Sequence, residues 1–401
     1  MRKIILLLIF LFLPLEKIYC NSFIEFRSKN SSGFKNYSDT IEKDFENYQE
    51  ELKKAFEDYK KKISKVWGKK NVIISGQKIY VSYFNKLRER SIIDFENGIV
   101  KLEFIISVKE FNKETFEQRI IDSIANSICQ KPDTRSIIEI SHDPDTKQDQ
   151  RSELILKGQV KDNKGDIITS KNAVFFASQI LKQKKIESTA VKNQETQDNL
   201  LISIDFPLAD DHIKKRALKY VDIVIPESKN RNLEHELIFA LIETESSFNP
   251  YAKSPVPAFG LMQLVPITAG RDAFRLVHKK DMVPTDKFLY NPKNNIILGC
   301  AYLYILFNKY LDEIDDIESR KWCVIAAYNT GIGNIFEAFA GKFSKNRYNS
   351  RQIWKLAAFE KINQMSSSQV FNYLSENLKY SETRAYIEKV RSRIPKYKTD
   401  R

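Results

Sequence analysis

The stretch Leu233 to Pro250, LEHELIFALIETESSFNP, decides how the chain is read. Its centre, Leu237 to Ile242 (LIFALI), is apolar without a break, and a helix that is apolar all round is buried on every face. The helix closes in Glu243-Thr244-Glu245-Ser246-Ser247 before Phe248-Asn249-Pro250, where proline stops it. A carboxylate at the end of a buried helix is costly to ionise, so its pKa should rise toward the range useful for a general acid. On this stretch alone, the plainer reading is that Glu243 and Glu245 are surface charges at a helix end.

Outward from that helix, residues 210–401 carry helical signals only. His212 to Ile223, Glu234 to Thr244, Ile296 to Lys309, Arg320 to Tyr328, Ser368 to Leu378 and Thr383 to Arg393 repeat apolar residues at three- and four-residue spacing. Pro250, Pro255, Pro257, Pro266, Pro284 and Pro292 punctuate the loops between them. Upstream the period changes. A charged amphipathic helix is expected over Tyr37 to Val66, then strands within Asn71 to Tyr83. Two more strands in Ser91 to Val108 flank Glu96-Asn97-Gly98, whose Asn-Gly is a strong hairpin signal. A helix over Lys113 to Cys129 precedes a polar loop, Lys131 to Arg151. A further hairpin is expected in LILKGQVKDNKGDIIT, turning at Asn163-Lys164-Gly165, then a helix over Ser170 to Gln183 and a last strand at Leu200 to Phe206. The expectation is an α+β N-terminal domain, residues 21–209, followed by a mainly α-helical domain, residues 210–401.

The first twenty residues give the compartment. Arg2 and Lys3 precede an apolar run, Ile4 to Leu13, and Pro14, the charged and apolar regions of a secretory signal. The run is about half the length that spans a bilayer, so an exported protein is expected, soluble or lipid-anchored. Cys20 stands where a lipoprotein cysteine would, as a lipid anchor, but Lys17, Ile18 and Tyr19 fit a small-residue lipobox poorly. A cut ahead of Asn21 is the alternative. Cys129, Cys300 and Cys323 remain, an odd number that gives no full disulfide framework. Cys300 and Cys323 sit in apolar helical stretches and read first as small core residues, a bridge between them second.

Lys and Arg number 65 against 52 Asp and Glu, a net charge of +13. Such a balance points to a polyanionic partner: nucleic acid, anionic membrane or an acidic wall polymer. Export removes nucleic acid. Seven basic residues crowd Arg384 to Arg401 and read as a solvated helix face, with wall adhesion second. His142, His212, His235 and His278 lack metal-ligand spacing, so neither metal nor cofactor is expected. No motif sets an oligomeric state.

Three more motifs follow the first: AFGLMQL at Ala258 to Leu264, AAYNTGIG at Ala326 to Gly333, and ETRAY at Glu382 to Tyr386. Each is weak alone, and Asn329 or Gly331 could simply end a helix. In this order and spacing, ESSFNP, GLMQL, AAYNTG and ETRAY resemble the soluble-type lytic transglycosylases, which cleave bacterial peptidoglycan. KVWGKKNVIISGQKIYVSY and RSIIDFENGIVKLEFI are similar to the N-terminal domain of the C-type membrane-bound members, as is the connector SPVPAFGLMQLVPITAGRDAF. The resemblance implies a lysozyme-like helical catalytic domain acting on peptidoglycan glycan strands. It implies that Glu245, directly before Ser246, is the catalytic acid, while Glu243 points elsewhere because i and i+2 share no helix face. Met262 and Gln263 are then expected along the sugar groove, and Tyr328 and Asn329 against the substrate. Tyr386 is expected to hydrogen-bond or position Glu245, and Ser246 to touch substrate or fix the helix end.

Ordinary glycosidases use two carboxylates. Only Glu245 stands out in the motifs, and Asp272, Asp281 and Asp286 read as solvated loop charges. One carboxylate suffices if no water attacks. The resemblance therefore implies non-hydrolytic cleavage to 1,6-anhydromuropeptides, with a localisation in the periplasm or at the outer membrane. A lysozyme-like muramidase and a non-catalytic wall-binding protein are the other readings.

Overall fold

Asp94 builds the turn between the second and third strands of the sheet. Its Oδ1 accepts from the backbone N–H of Glu96 at 3.0 Å and of Asn97 at 2.9 Å, and Gly98 completes the reversal at φ +68°. The computed structural model describes residue 47 and residues 50–184, 186–191, 199–254 and 258–398. The expected signal, Cys20, most of the helix expected before residue 50, and Pro255 and Pro257 lie outside them.

Residues 53–401 form one compact unit. It begins with helix α1 over residues 53–67. Strands β1 (Ile79–Phe84), β2 (Glu89–Asp94) and β3 (Ile99–Ser107) follow, then helices α2 (Lys113–Ile128), α3 (Ile137–His142) and α4 (Ala173–Gln183). Strands β4 (Glu187–Val191) and β5 (Asn199–Pro207) close the sheet, in the order β1-β2-β3-β5-β4 with every pair antiparallel. Val100, Leu102, Phe104 and Ile106 alternate toward one face of β3, as period two requires. They meet α2 through Phe104 and Phe116, whose ring centroids are 5.5 Å apart.

The other face of the sheet holds a buried ion pair. Arg90 is 2% exposed, donates from Nε to Glu103 Oε2 at 2.6 Å, and lies 3.9 Å from the centroid of the Trp67 ring. Removing one partner of a buried pair costs about 3–5 kcal/mol, whereas replacing both by apolar groups costs far less. Chemical denaturation should accordingly show Arg90→Met destabilised by that amount and Arg90→Met/Glu103→Leu recovering part of the loss. A double variant as unstable as the sum of its singles would count against the pair.

Two expectations for this half need correction. The hairpin around Asn163-Lys164-Gly165 keeps its turn, with Asp162 Oδ1 accepting from Lys164 and Asp166 N–H at 2.9 Å each, but its flanks form only an isolated bridge between Lys161 and Ile167. The flanking backbone is engaged elsewhere: Gln159 C=O accepts from Ala209 N–H at 2.8 Å, and Leu156, Val160 and Ile168 bury in the core. The polar loop from Lys131 contains α3, announced by a capping box of Ser136 and Glu139.

The helical half follows: α5 (His212–Leu218), α6 (Val221–Arg231), α7 (His235–Ser246), α8 (Arg271–His278), α9 (Asp286–Leu289), α10 (Pro292–Ile305), α11 (Ile317–Thr330), α12 (Ile332–Ala340), α13 (Arg351–Asn363), α14 (Ser367–Asn377) and α15 (Ser381–Arg393). The helix expected over His212 to Ile223 breaks at Lys219-Tyr220. Pro292 opens α10 at its first turn, where the missing N–H is harmless, behind the Asn291 cap. Cys300 and Cys323 are buried free thiols, so a bridge between them does not form.

One guanidinium joins the halves. Arg216 of α5 donates to Ser247 C=O at 2.9 Å, to Gln159 Oε1 at 2.6 Å and to Phe95 C=O at 2.6 Å. The β2–β3 turn is thereby fixed against the end of α7. Gly98 permits the close approach, because a Cβ there would stand 2.6 Å from His212 Nε2.

Candidate active site

Helix α7 is buried from Leu237 to Ser246, and Ser247 ends it at φ +48°. Both glutamates of its last turn are buried, which overturns the reading of surface charges. Glu245 is 7% exposed, and the Tyr386 hydroxyl of α15 donates to its Oε1 at 2.6 Å. Burial pushes the Glu245 carboxyl up to about 7, against the opposing pull of the Tyr386 hydrogen bond and the Lys78 ammonium; Glu382 adds to the rise. Tyr328 of α11 is partly buried, donates to Met262 C=O at 2.8 Å, and has its phenol pushed up by desolvation and by the charge of Glu245.

Glu243 sits in a different cluster. Its carboxylate pairs with Arg393 Nε at 3.1 Å and Lys396 Nζ at 2.9 Å, and accepts from Tyr397 Oη at 2.7 Å. The basic C-terminal stretch is thus not simply a solvated face: Arg393 and Lys396 turn inward to this carboxylate, and Arg393 also donates to Thr244 Oγ1 at 2.9 Å.

The connector after α7 is moulded on α10. Asn295 accepts from Met262 N–H at 2.8 Å and donates to Phe259 C=O at 2.8 Å and Leu289 C=O at 2.9 Å. Gly260 turns at φ +78°, and a Cβ there would meet Asn295 Nδ2 and Leu289 C=O at 2.4 Å. Met262, expected along a sugar groove, is instead fully buried, with its sulfur seated on Gly299. Ser246 is also fully buried, and its hydroxyl donates to Leu261 C=O at 2.8 Å, so it fixes the helix end to the connector. Gln263 donates to Gly260 C=O at 3.0 Å and leaves Oε1 buried without a partner among the described residues. Asn329 stands partly exposed beside Tyr328 at the end of α11, which Gly331 caps.

The three aspartates expected as solvated loop charges are occupied elsewhere, and two of them lie in helices, Asp272 in α8 and Asp286 in α9. Asp281 pairs with Arg271 at 2.7 Å and Arg275 at 2.8 Å, Asp272 accepts from Tyr310 Oη at 3.1 Å, and Asp286 opens α9. Among the described residues, no carboxylate is hydrogen-bonded to Glu245.

Sequence reasoning missed Lys78, Asn295, Arg393 and Tyr397. Asn295 alone carried a signal, as an amide within the apolar run NIILGCAYLYIL behind an Asn-Pro helix start.

A carboxylic acid buried to near-neutral pKa at a helix end, with a tyrosine as its donor, has the properties of a general acid. Residues 222–350 match the transglycosylase SLT domain, so the helical half is a lytic transglycosylase domain. Residues 45–219 match the N-terminal domain of membrane-bound lytic murein transglycosylase C. The chain belongs to the membrane-bound lytic murein transglycosylase C family, and it is an enzyme, a lytic murein transglycosylase of the lyase type. It is 34% identical to membrane-bound lytic murein transglycosylase C of Haemophilus ducreyi over 83% of this chain and 83% of that protein. To the Edwardsiella ictaluri protein of the same name it is 35% identical over 83% of this chain and 86% of that protein. The solved 70 kDa soluble lytic transglycosylase of Escherichia coli superposes at a TM-score of 0.33 with 24% identity, over 46% of this chain and 25% of that one.

Proposed function

We propose that this transglycosylase cleaves the N-acetylmuramic acid–β-1,4–N-acetylglucosamine bond of peptidoglycan without water, releasing 1,6-anhydromuropeptides, with Glu245 as acid and then base. The carrying observation is the buried Glu245 carboxyl, raised to about 7 by burial and held by the Tyr386 hydroxyl, in a chain that matches the transglycosylase SLT domain. Protonated Glu245 gives its proton to the bridging oxygen as the bond from muramic C1 breaks. The positive charge at C1 is relieved by the sugar's own N-acetyl oxygen. Ionised Glu245 then takes the proton of the C6 hydroxyl as that oxygen closes on C1. One group serves both steps, so its pKa must lie near working pH.

Tyr386 fixes the carboxyl through its hydrogen bond. Gln263, with an unpaired amide oxygen, and Asn329, beside Tyr328, are the sugar contacts in this reading; Ser246 and Met262 shape the site from behind. Residues 1–20 are a removed signal, 21–209 an N-terminal domain and 210–401 the catalytic domain. The enzyme works in the periplasm; a cut ahead of Cys20 instead of after it would leave that cysteine as the lipid anchor to the outer membrane. The name that the relatives share supports membrane attachment, while among the described residues no helix is long and apolar enough to cross a bilayer.

Digestion of purified peptidoglycan, with mass spectrometry of the fragments, tests the chemistry. Anhydro ends are expected. Reducing ends heavier by one water would assign a hydrolase instead.

A further inference from the structure

We propose that Lys78, carried by the N-terminal region, is a positioning residue of the catalytic centre: its ammonium, fixed by Glu96 beside the end of α7, sets the electrostatic field in which Glu245 works. The proposal rests on Glu245 being the catalytic acid.

The lead-in to β1 is pinned to the segment that follows Glu245. Asn249 Nδ2 donates to Gln77 C=O at 3.2 Å, and Lys253 N–H donates to Gly76 C=O at 3.3 Å. The backbone that leads into Lys78 is thereby held beside that segment. Its side chain is 17% exposed and is hydrogen-bonded to Glu96, in the turn that Arg216 fixes on Ser247. Glu96 also accepts from Arg393 Nη2 at 3.1 Å, and Arg393 reaches Glu243 and Thr244, the two residues before Glu245 in the helix. One chain of charges thus runs from the sheet to the catalytic turn.

The groups facing Glu245 come from three directions. Helix α15 supplies the Tyr386 hydroxyl and the exposed Glu382, α11 supplies Tyr328, and the N-terminal region supplies Lys78. Lys78 is the cation among them, and it draws the carboxyl down against the rise caused by burial. Around Lys78 itself stand Glu96, Arg393 and Lys389; burial lowers its proton affinity and Glu96 works against that loss. Glu96 is in turn held below its ordinary value, the pull of Lys78 and Arg393 exceeding the effect of burial.

Cleavage needs Glu245 protonated at the outset, so the rate falls as pH rises through its pKa. An adjacent positive charge lowers a carboxyl pKa, and removing the charge raises it. The full-length chain carrying Lys78→Met should therefore show the alkaline limb of its pH–rate profile on purified peptidoglycan moved upward by about 0.5–1 pH unit. Lys78→Arg keeps the charge and should restore the wild-type limb. Lys78→Gln reads the same loss of charge should the methionine variant not fold. A neutral variant whose limb superposes on wild type would overturn the proposal, as would an arginine variant shifted as far as the methionine one. Glu245→Gln, measured alongside, separates the two claims. If it is inactive while the Lys78 profiles coincide, only the role of Lys78 falls; if it cleaves normally, the assignment of Glu245 falls first.

Discussion

Glu245→Gln is expected to fold normally and to lose peptidoglycan cleavage by at least about 100-fold, the scale for removing a general acid. The amide keeps the shape of the carboxyl and still accepts from Tyr386, so packing at the end of α7 should survive. The same variant should differ from wild type in stability, with a definite sign. Burial raises the folded-state pKa of Glu245 to about 7, above the unfolded value near 4.3. A group raised in this way contributes stability below the unfolded pKa, and that contribution is lost as pH climbs through the folded one. Glutamine does not titrate. The variant should gain on wild type between about pH 4 and pH 7, reaching about 4 kcal/mol above that window, since each tenfold change in proton affinity is worth roughly 1.4 kcal/mol. Thermal or urea unfolding at pH 4.5 and pH 8 reads the difference. Equal stabilities at both pH values would mean that Glu245 is not held neutral by burial, and the acid role would lose its physical basis.

Glu243→Gln, two residues earlier, should do the reverse. Its carboxylate is the counter-charge for Arg393 and Lys396. Uncovering a buried cation costs about 3–5 kcal/mol. Lys396 is 55% exposed and hydrates readily, which places the expected loss at the low end, about 3 kcal/mol. Because Glu243 faces away from Tyr386, the folded fraction should retain most of its cleavage activity. Denaturation curves paired with initial rates below the melting range test this. An inactive but fully stable Glu243→Gln enzyme would reverse the roles assigned to the two glutamates.

How much was legible beforehand depended on the distance over which each signal acts. The run LIFALI announces a helix buried all round because the evidence is local, and the Asn-Gly between β2 and β3 announces its turn for the same reason. The similar signal at Asn163-Lys164-Gly165 makes a turn without a ladder, because pairing needs backbone that the turn does not control. Helix α13 was missed although Ser350 caps it, and α9 although Thr285 does, since short or polar helices declare themselves through caps more than through periodicity. At the site, the four motifs located Glu245 and Tyr386. The environment of Glu243 stayed hidden because Arg393 and Tyr397 arrive from about 150 residues further along the chain, and Lys78 comes from the opposite half. Met262 was misread as a groove residue because a motif records that a side chain matters, while only packing against Gly299 tells in which direction it points.

The Arg216 joint has a chemical character unlike that of the cluster around Glu245 and Glu243. Its guanidinium is answered by the carbonyl oxygens of Phe95, Ser247 and Gln159 rather than by a carboxylate, and none of these acceptors titrates. Burial lowers Arg216 itself only to about 10, and burial together with Arg216 pushes the neighbouring His212 down to about 4, so neither changes charge between pH 5 and pH 8. The Arg216 joint therefore keeps its charge across the interval in which Glu245 gains and loses its proton, and the β2–β3 turn stays fixed to the end of α7 in either state of that carboxyl.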